Sequence, residues 1–280
     1  MNLRQIALIS QTAHVSLNEL VVVGAALQKQ ITRDFTPIWN KPALISAFGN
    51  LNQVPLGYWP IIIRDDIHAK GAAGYHSDKN NQPFALVQYS PSWALTVSHE
   101  MLEMLADPYG NKLKVARSIK PGQGKVQYLV EVCDPSEDDA FAYDIQGVIV
   151  SDFYTPNYFD KLTVAGKLYS FTGAIKEPLQ VLRGGYLSWL DTASGAWWQA
   201  QFFGAALKFV NLSAQMNKHT EGSLRSRIDR ITTNPLFEAT KDAPISARSM
   251  EMAETAQEIN VGVGSHWDQE VQEVLNKYNK

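Results

Sequence analysis

The stretch SHEMLEMLADP, Ser98 to Pro108, sets an imidazole, His99, four residues ahead of a carboxylate, Glu103, with a second carboxylate, Glu100, between them. On a helix, residues four apart share one face, so His99 and Glu103 can reach a single ion together. An imidazole nitrogen and a carboxylate oxygen are both ordinary zinc donors at about 2 Å. Glu100 stands beside the first donor, where a general base would take a proton from a water made acidic by the ion. A carboxylate in the ligand set makes a harder site, so zinc (Zn2+) is the expected ion, with manganese and iron as alternatives. The pattern alone is weak, because helices are rich in glutamate. Its surroundings strengthen it: Trp93, Leu95, Val97, Leu102 and Leu105 make the helix largely apolar. A histidine and two glutamates buried on such an element would be costly without an ion or a partner.

A third donor is needed. Asp107 lies eight residues past His99, about 12 Å along a helix axis at 1.5 Å per residue, so it cannot share an ion with His99. Pro108 ends the helix there, and Asp107 is expected to cap it or brace a neighbouring loop. The better donors are in YLVEVCDPSEDD, where Glu131 closes an apolar run and Asp134 follows in a turn. Three apart in a strand, they would point to opposite faces, so only one is expected to ligate. Glu131 is favoured, with Asp134 as its support or substitute. Glu137, Asp138 and Asp139 read as a solvated acidic loop.

These residues need a scaffold. Gln5 to Ser10 is a short apolar strand. Ser16 and Glu19 form a capping box opening a helix toward Phe35, with Leu20, Val21, Leu27 and Ile31 at helical spacing. Strands follow at Ala43–Phe48, in YWPIIIRDD and at Phe84–Tyr89, and the helix of the opening motif comes next. Beyond Pro108 the reading is a hairpin, LKVARSI and VQYLVEV about the turn KPGQGK, then a strand pair, AYDIQG and VIVSDFY. An aromatic-rich region containing Trp189, Trp197, Trp198 and Phe202 ends the compact fold. Residues 1–204 are expected to form one domain. Residues 205–280 are expected to be a helical or partly disordered extension, with SLRSRIDR as a solvated helix face bearing Arg225, Arg227 and Arg230.

The pattern S-H-E-x-x-E-x-x-x-D-P followed by E-[IV]-x-D resembles a group of zincin-like proteins of bacterial and phage-related genomes, distantly similar to plant Exordium-type proteins. The matching residues are Ser98, His99, Glu100, Glu103, Asp107, Pro108, Glu131 and Asp134, and the likeness covers roughly Gln5 to Phe159. It differs from the H-E-x-x-H zincins in having Glu103 where the second histidine stands. The metzincin continuation is ruled out, because Leu105 and Tyr109 occupy its glycine and histidine positions. Where the plant relatives carry a cysteine after E-I-x-D-x, this chain has Ser136. The resemblance implies an α+β, zincin-like fold: a mixed β-sheet with an active-site helix, a β-rich lower half and a helical C-terminal extension. It implies His99 and Glu103 as metal ligands and Glu100 as base, and no particular substrate.

Tyr154 or Tyr158 could supply a phenol to stabilise an oxyanion, or belong to the core. His76, in the polar segment GAAGYHSDKNNQP, reads as an exposed loop histidine or as a residue lining the cleft. Phe84–Tyr89 is the expected edge for an extended peptide added to the sheet. His14, His68, His219 and His266 sit in no suggestive pattern, and Cys133 reads as a small buried hydrophobe. RGGYLSW lacks the strand and helix that a nucleotide-binding glycine loop requires.

The chain has 280 residues, 45% of them hydrophobic and 19% charged, with a net charge of −3. That balance supports a substantial core and argues against a nucleic-acid partner. One cysteine excludes an internal disulfide framework. No apolar run approaches the roughly 20 residues that span a bilayer, and no signal peptide is evident, so a cytoplasmic protein is expected. The functional expectation is a zinc-dependent hydrolase acting on a peptide or protein substrate. The alternative is a catalytically inactive binding or structural protein of the same fold that keeps its metal.

Overall fold

The structure, a computed structural model, describes residues 3–69, 71–216 and 223–232. The chain is mixed α and β. It opens with β1 (Arg4–Ser10), helix α1 (Leu17–Lys29), a π-helical continuation Gln30–Phe35, a short α2 (Thr36–Trp39) and β2 (Ala43–Phe48). Ser16 caps α1 with the expected reciprocal bonds to Glu19. Then come β3 (Trp59–Arg64), β4 (Gly74–Lys79), β5 (Gln82–Gln88) and α3 (Trp93–Ala106), the helix that carries the opening motif.

These five strands form one sheet in the order β2-β1-β3-β5-β4, parallel except for β4, which runs antiparallel to β5 at the edge. Ile6 and Leu8, Ile61 and Ile63, and Ala85 and Val87 alternate along their strands into one core, shared with Leu20 and Leu27 of α1 and Val97, Met101 and Leu105 of α3. At about 1.5–3 kcal/mol for each large aliphatic side chain removed from water, this layer is the main force seating α3 on the sheet.

The edge differs from expectation. Phe84–Tyr89 falls mostly within β5, which is flanked by β3 and β4, so the edge strand on this side is β4. The polar segment holding His76 is not a loop: Gly74–Lys79 forms a hairpin with β5 through Asn80 and Asn81, at φ +54° and +61°. Asparagine tolerates this left-handed backbone, which suits a two-residue hairpin turn.

The second half adds the hairpin β6 (Leu113–Arg117) and β7 (Lys125–Leu129), the pair β8 (Tyr143–Ile145) and β9 (Val148–Val150), then β10 (Tyr186–Asp191), β11 (Ala196–Gln201) and β12 (Lys208–Asn211). A second five-stranded sheet has the order β12-β11-β10-β7-β6, antiparallel throughout. Past Gly204 the chain thus supplies the edge strand β12, then α4 (Ser213–Met216) and α5 (Leu224–Asp229). His219, His266 and the amphipathic WDQEVQEVLNKY lie outside the described residues. Among the described residues, no helix is long and apolar enough to cross a membrane.

Candidate metal centre

Helix α3 is held from behind by the residue that begins the motif. The Ser98 hydroxyl donates to Gln30 Oε1 at 2.8 Å and accepts from the Ser151 backbone N–H at 2.9 Å. Gln30 sits where α1 passes into the π-helical turns, and its amide also reaches the Ser151 carbonyl at 3.0 Å. These buried bonds tie α3 to α1 and to the end of β9, so Ser98 fixes the helix rotation that turns His99 and Glu103 toward the loop after β7.

The His99 ring keeps only 13% of its side chain exposed, and its Nε2 lies 3.4 Å from Glu103 Oε2 and 3.3 Å from Asp134 Oδ1. Glu103 is fully buried, and its other oxygen accepts the Cys133 backbone N–H at 3.1 Å. Glu131 and Asp134 both reach this cluster: one oxygen from each of Glu103, Glu131 and Asp134 lies within 4.8 Å of the others. Opposite strand faces therefore do not apply to Glu131 and Asp134, because β7 ends at Leu129 and Asp134 begins a 3-10 turn. Glu137 likewise joins His99 and Asp134 in a group able to share an ion, rather than standing in a wholly solvated loop. Cys133 is fully buried, between the two candidate ligands.

His76 belongs to the site. It is fully buried on β4, with Nδ1 3.5 Å from Glu100 Oε2 and 3.9 Å from Glu103 Oε2. His76, Glu100 and Glu103 form another group whose ligand atoms could share an ion. Gly74, two residues earlier, lets β4 approach α3: a Cβ there would stand 2.9 Å from Thr96 Cγ2 and 3.0 Å from the Glu100 carboxylate. Asp107 closes the helix as expected and takes no part as a donor to His99. Its Oδ2 accepts the Lys112 N–H at 2.6 Å.

Arg225 is not on a solvated face. Only 3% exposed, it extends from α5 into the carboxylates, with NH1 bonded to Asp134 Oδ2 and 3.5 Å from Glu131 Oε2, and NH2 3.3 Å from Glu103 Oε2. Its Nε faces Asp229 Oδ1 at 2.9 Å. Little in SLRSRIDR marks Arg225 as buried, and its partners Glu103, Glu131 and Asp134 lie far upstream. The one usable signal was Asp229, spaced one helical turn from it.

Burial works to lower the His99 pKa, but Glu103, Asp134 and Glu100 outweigh it and hold the imidazole well above its ordinary value. Burial works to raise Glu103, and Arg225, His99 and His76 overcome it, keeping this carboxylate well below the ordinary range. Glu131 is pushed the other way, well up, by burial and by the charges of Glu103 and Asp134, against the pull of Arg225.

No family model, curated protein or solved structure matches this chain.

The donor set fits a divalent cation. Glu103 Oε2, both oxygens of Glu131, Asp134 Oδ1, Glu100 Oε2 and His76 Nδ1 are buried without a hydrogen-bond partner. Buried carboxylate oxygens are costly unless a cation serves them, a part that Arg225 takes toward Glu103, Glu131 and Asp134 and that an ion could take in its place. Tyr154 is buried beside the cluster with an unpartnered hydroxyl and carries its ring 4.3 Å from that of Tyr158. Tyr158 donates its hydroxyl to the Gln180 carbonyl at 2.9 Å, so only Tyr154 has a phenol to spare.

Proposed function

We propose that this chain is a metal-dependent hydrolase of the zincin-like type, with zinc as its ion and a peptide or protein as its substrate. The carrying observation is that His99 Nε2 lies within 3.4 Å of Glu103 Oε2 and 3.3 Å of Asp134 Oδ1, where the unpartnered oxygens of Glu131 join them. His99, Glu103 and Asp134 would hold the ion, with Glu131 as the adjoining carboxylate. A mixed sheet with one antiparallel edge strand, backed by a helix bearing the ligand pair, supports the zincin-like reading.

An ion bound there supplies Lewis acidity and makes a nearby water easier to deprotonate. Glu100, on the same helix, is the base that would take the proton. Its Oε2 has no hydrogen-bond donor, and the His76 ring holds that carboxylate beside Glu103. The Tyr154 hydroxyl is the group available to an oxyanion.

A second reading is favoured by Arg225: a binding or structural protein that keeps the fold and the ligand set without catalysis. Elemental analysis of the purified chain, with melting in the presence and absence of a chelator, tests the metal. Protein free of metal, melting unchanged in chelator, overturns both readings. Glu100→Gln then separates them: the hydrolase reading requires retained zinc and at least about a hundredfold loss of peptide cleavage, in the range that general bases contribute. Zinc retained by a wild-type chain that cleaves no member of a broad peptide library leaves the second reading standing.

A further inference from the structure

We infer that α5 is an internal inhibitor of the metal centre, which seats Arg225 on the ligand carboxylates and packs against the edge strand that a peptide would join. This rests on the metal-dependent reading above. Two independent features meet in one short segment.

The first is the guanidinium. NH1 bonds Asp134 and approaches Glu131, while NH2 approaches Glu103. These are the same three carboxylates whose oxygens are spaced to share an ion. A planar donor fork satisfies several carboxylates at once without losing its charge. An ion about 2 Å from these oxygens would compete with the guanidinium for the same lone pairs, and in a site shut off from water the two cations would repel each other strongly. Ion and arginine are therefore alternative occupants.

The second is the edge strand. Strand β4 hydrogen-bonds to β5 along one side only, and α5 packs against β4. Addition of an extended peptide to a sheet requires a free edge, and a helix packed on β4 would compete with it. The segment that holds the ligand carboxylates thus also contacts the strand that a peptide would join.

Beyond the Arg225 ion pairs, which an ion would displace, the anchoring of α5 is local. Ile228 shares a small apolar cluster with Leu129, Leu212 and Met216, separate from the main core. The Arg225 N–H donates to the Gly110 carbonyl at 2.9 Å and the Leu224 N–H to Asn111 Oδ1 at 3.0 Å. Gly110 permits this approach, since a Cβ there would stand 2.7 Å from Arg225 Cβ. A six-residue helix has almost no stability of its own, so α5 persists only while docked.

The test is zinc affinity of the full chain, measured by competition with a chromophoric chelator, for wild type, Arg225→Ala and Ile228→Ala. Ile228→Ala leaves every ligand and the guanidinium intact while loosening the dock, and it carries the test alone if Arg225→Ala fails to fold. Both variants are expected to bind zinc more tightly, Arg225→Ala by tenfold or more. Zinc should also speed tryptic cleavage after Arg225 or Arg227 in the wild type, as the segment leaves its seat. Zinc bound by all three chains with equal affinity, or more weakly by the variants, overturns the inhibitor and leaves the metal reading intact. Zinc bound by none of them overturns the metal reading, and the inhibitor with it.

Discussion

The Nε2 of His76 lies 3.2 Å from the carbonyl oxygen of Asp107, the residue that ends the motif helix. A carbonyl only accepts, so Nε2 carries a hydrogen, while burial works to lower the His76 pKa and Glu100 and Glu103 overcome it, favouring a second proton on the Nδ1 that faces both carboxylates. A lone pair aimed at two carboxylates calls for a cation or a proton between them. Asp107, whose Oδ2 accepts the Lys112 N–H, sets through its backbone the hydrogen on Nε2 of a ring that faces the glutamates. His76→Ala removes that ring and leaves Glu100 and Glu103 without it. It should lower the stability of the metal-free chain by about 1–3 kcal/mol, the range for unpartnered buried groups, as measured by urea denaturation. A variant as stable as wild type would mean the ring has no structural role.

Ligand substitutions should rank. His99→Ala removes the imidazole placed between Glu103 and Asp134, and should weaken zinc binding by more than about a hundredfold, beyond the 10–100-fold typical of supporting residues. Glu131→Gln keeps the shape of a side chain whose oxygens, among the described residues, meet no donor but Arg225, and should fall within that lower range. Chelator competition gives both numbers. The reverse order would make Glu131 the primary carboxylate.

Gly185 tests how rigidly Asp134 is held. A Cβ at this position would stand 2.5 Å from the Asp134 carbonyl oxygen and 2.6 Å from that of Pro135, both backbone atoms that cannot swing aside. Gly185→Ala should cost about 1–3 kcal/mol, as overpacking does, and should weaken zinc binding because Asp134 moves with its turn. Denaturant melts and the same chelator assay measure the two effects. An unchanged affinity would show the turn free to shift without carrying Asp134 away.

What could be read from the chain alone follows from how local each signal is. Ser16 and Glu19 lie three residues apart, and Ile61, Ile63, Ala85 and Val87 repeat every second residue, so the cap and the central strands announce themselves. The spacing of His99 and Glu103 is likewise a property of one helix. Strand β4 escaped because its residues are polar and contain Gly74, although Asn80-Asn81 is a turn signal in its own right. Glu131 and Asp134 were assigned opposite faces by a strand rule that stops applying at Leu129, where β7 ends. Arg225 meets Asp134 across 91 residues. Such a contact is created by tertiary packing, and no pattern in SLRSRIDR encodes it.

Asp229 should make its mark on the dependence of stability on pH. Its Oδ1 lies 2.9 Å from Arg225 Nε, yet burial dominates and pushes its pKa from 3.8 up to about 7, with the Arg225 charge opposing the rise. The unfolded chain loses this proton near 3.8 and the folded chain only near 7. Across that window the folded state binds more protons, so the contribution of Asp229 is most favourable at the acid side and falls as pH rises through it. Asp134 and His99 are also raised, and their contributions fall with rising pH in the same direction, so a single melting curve cannot isolate Asp229. Asp229→Asn removes one titration and keeps an acceptor for Arg225. Thermal melts of both metal-free chains at pH 4.5, 6 and 8, with the pH values spanning about this window, should show the wild type losing more melting temperature than the variant. Parallel curves would mean that Asp229 stays ionised in the fold, and that the Arg225 charge outweighs its burial.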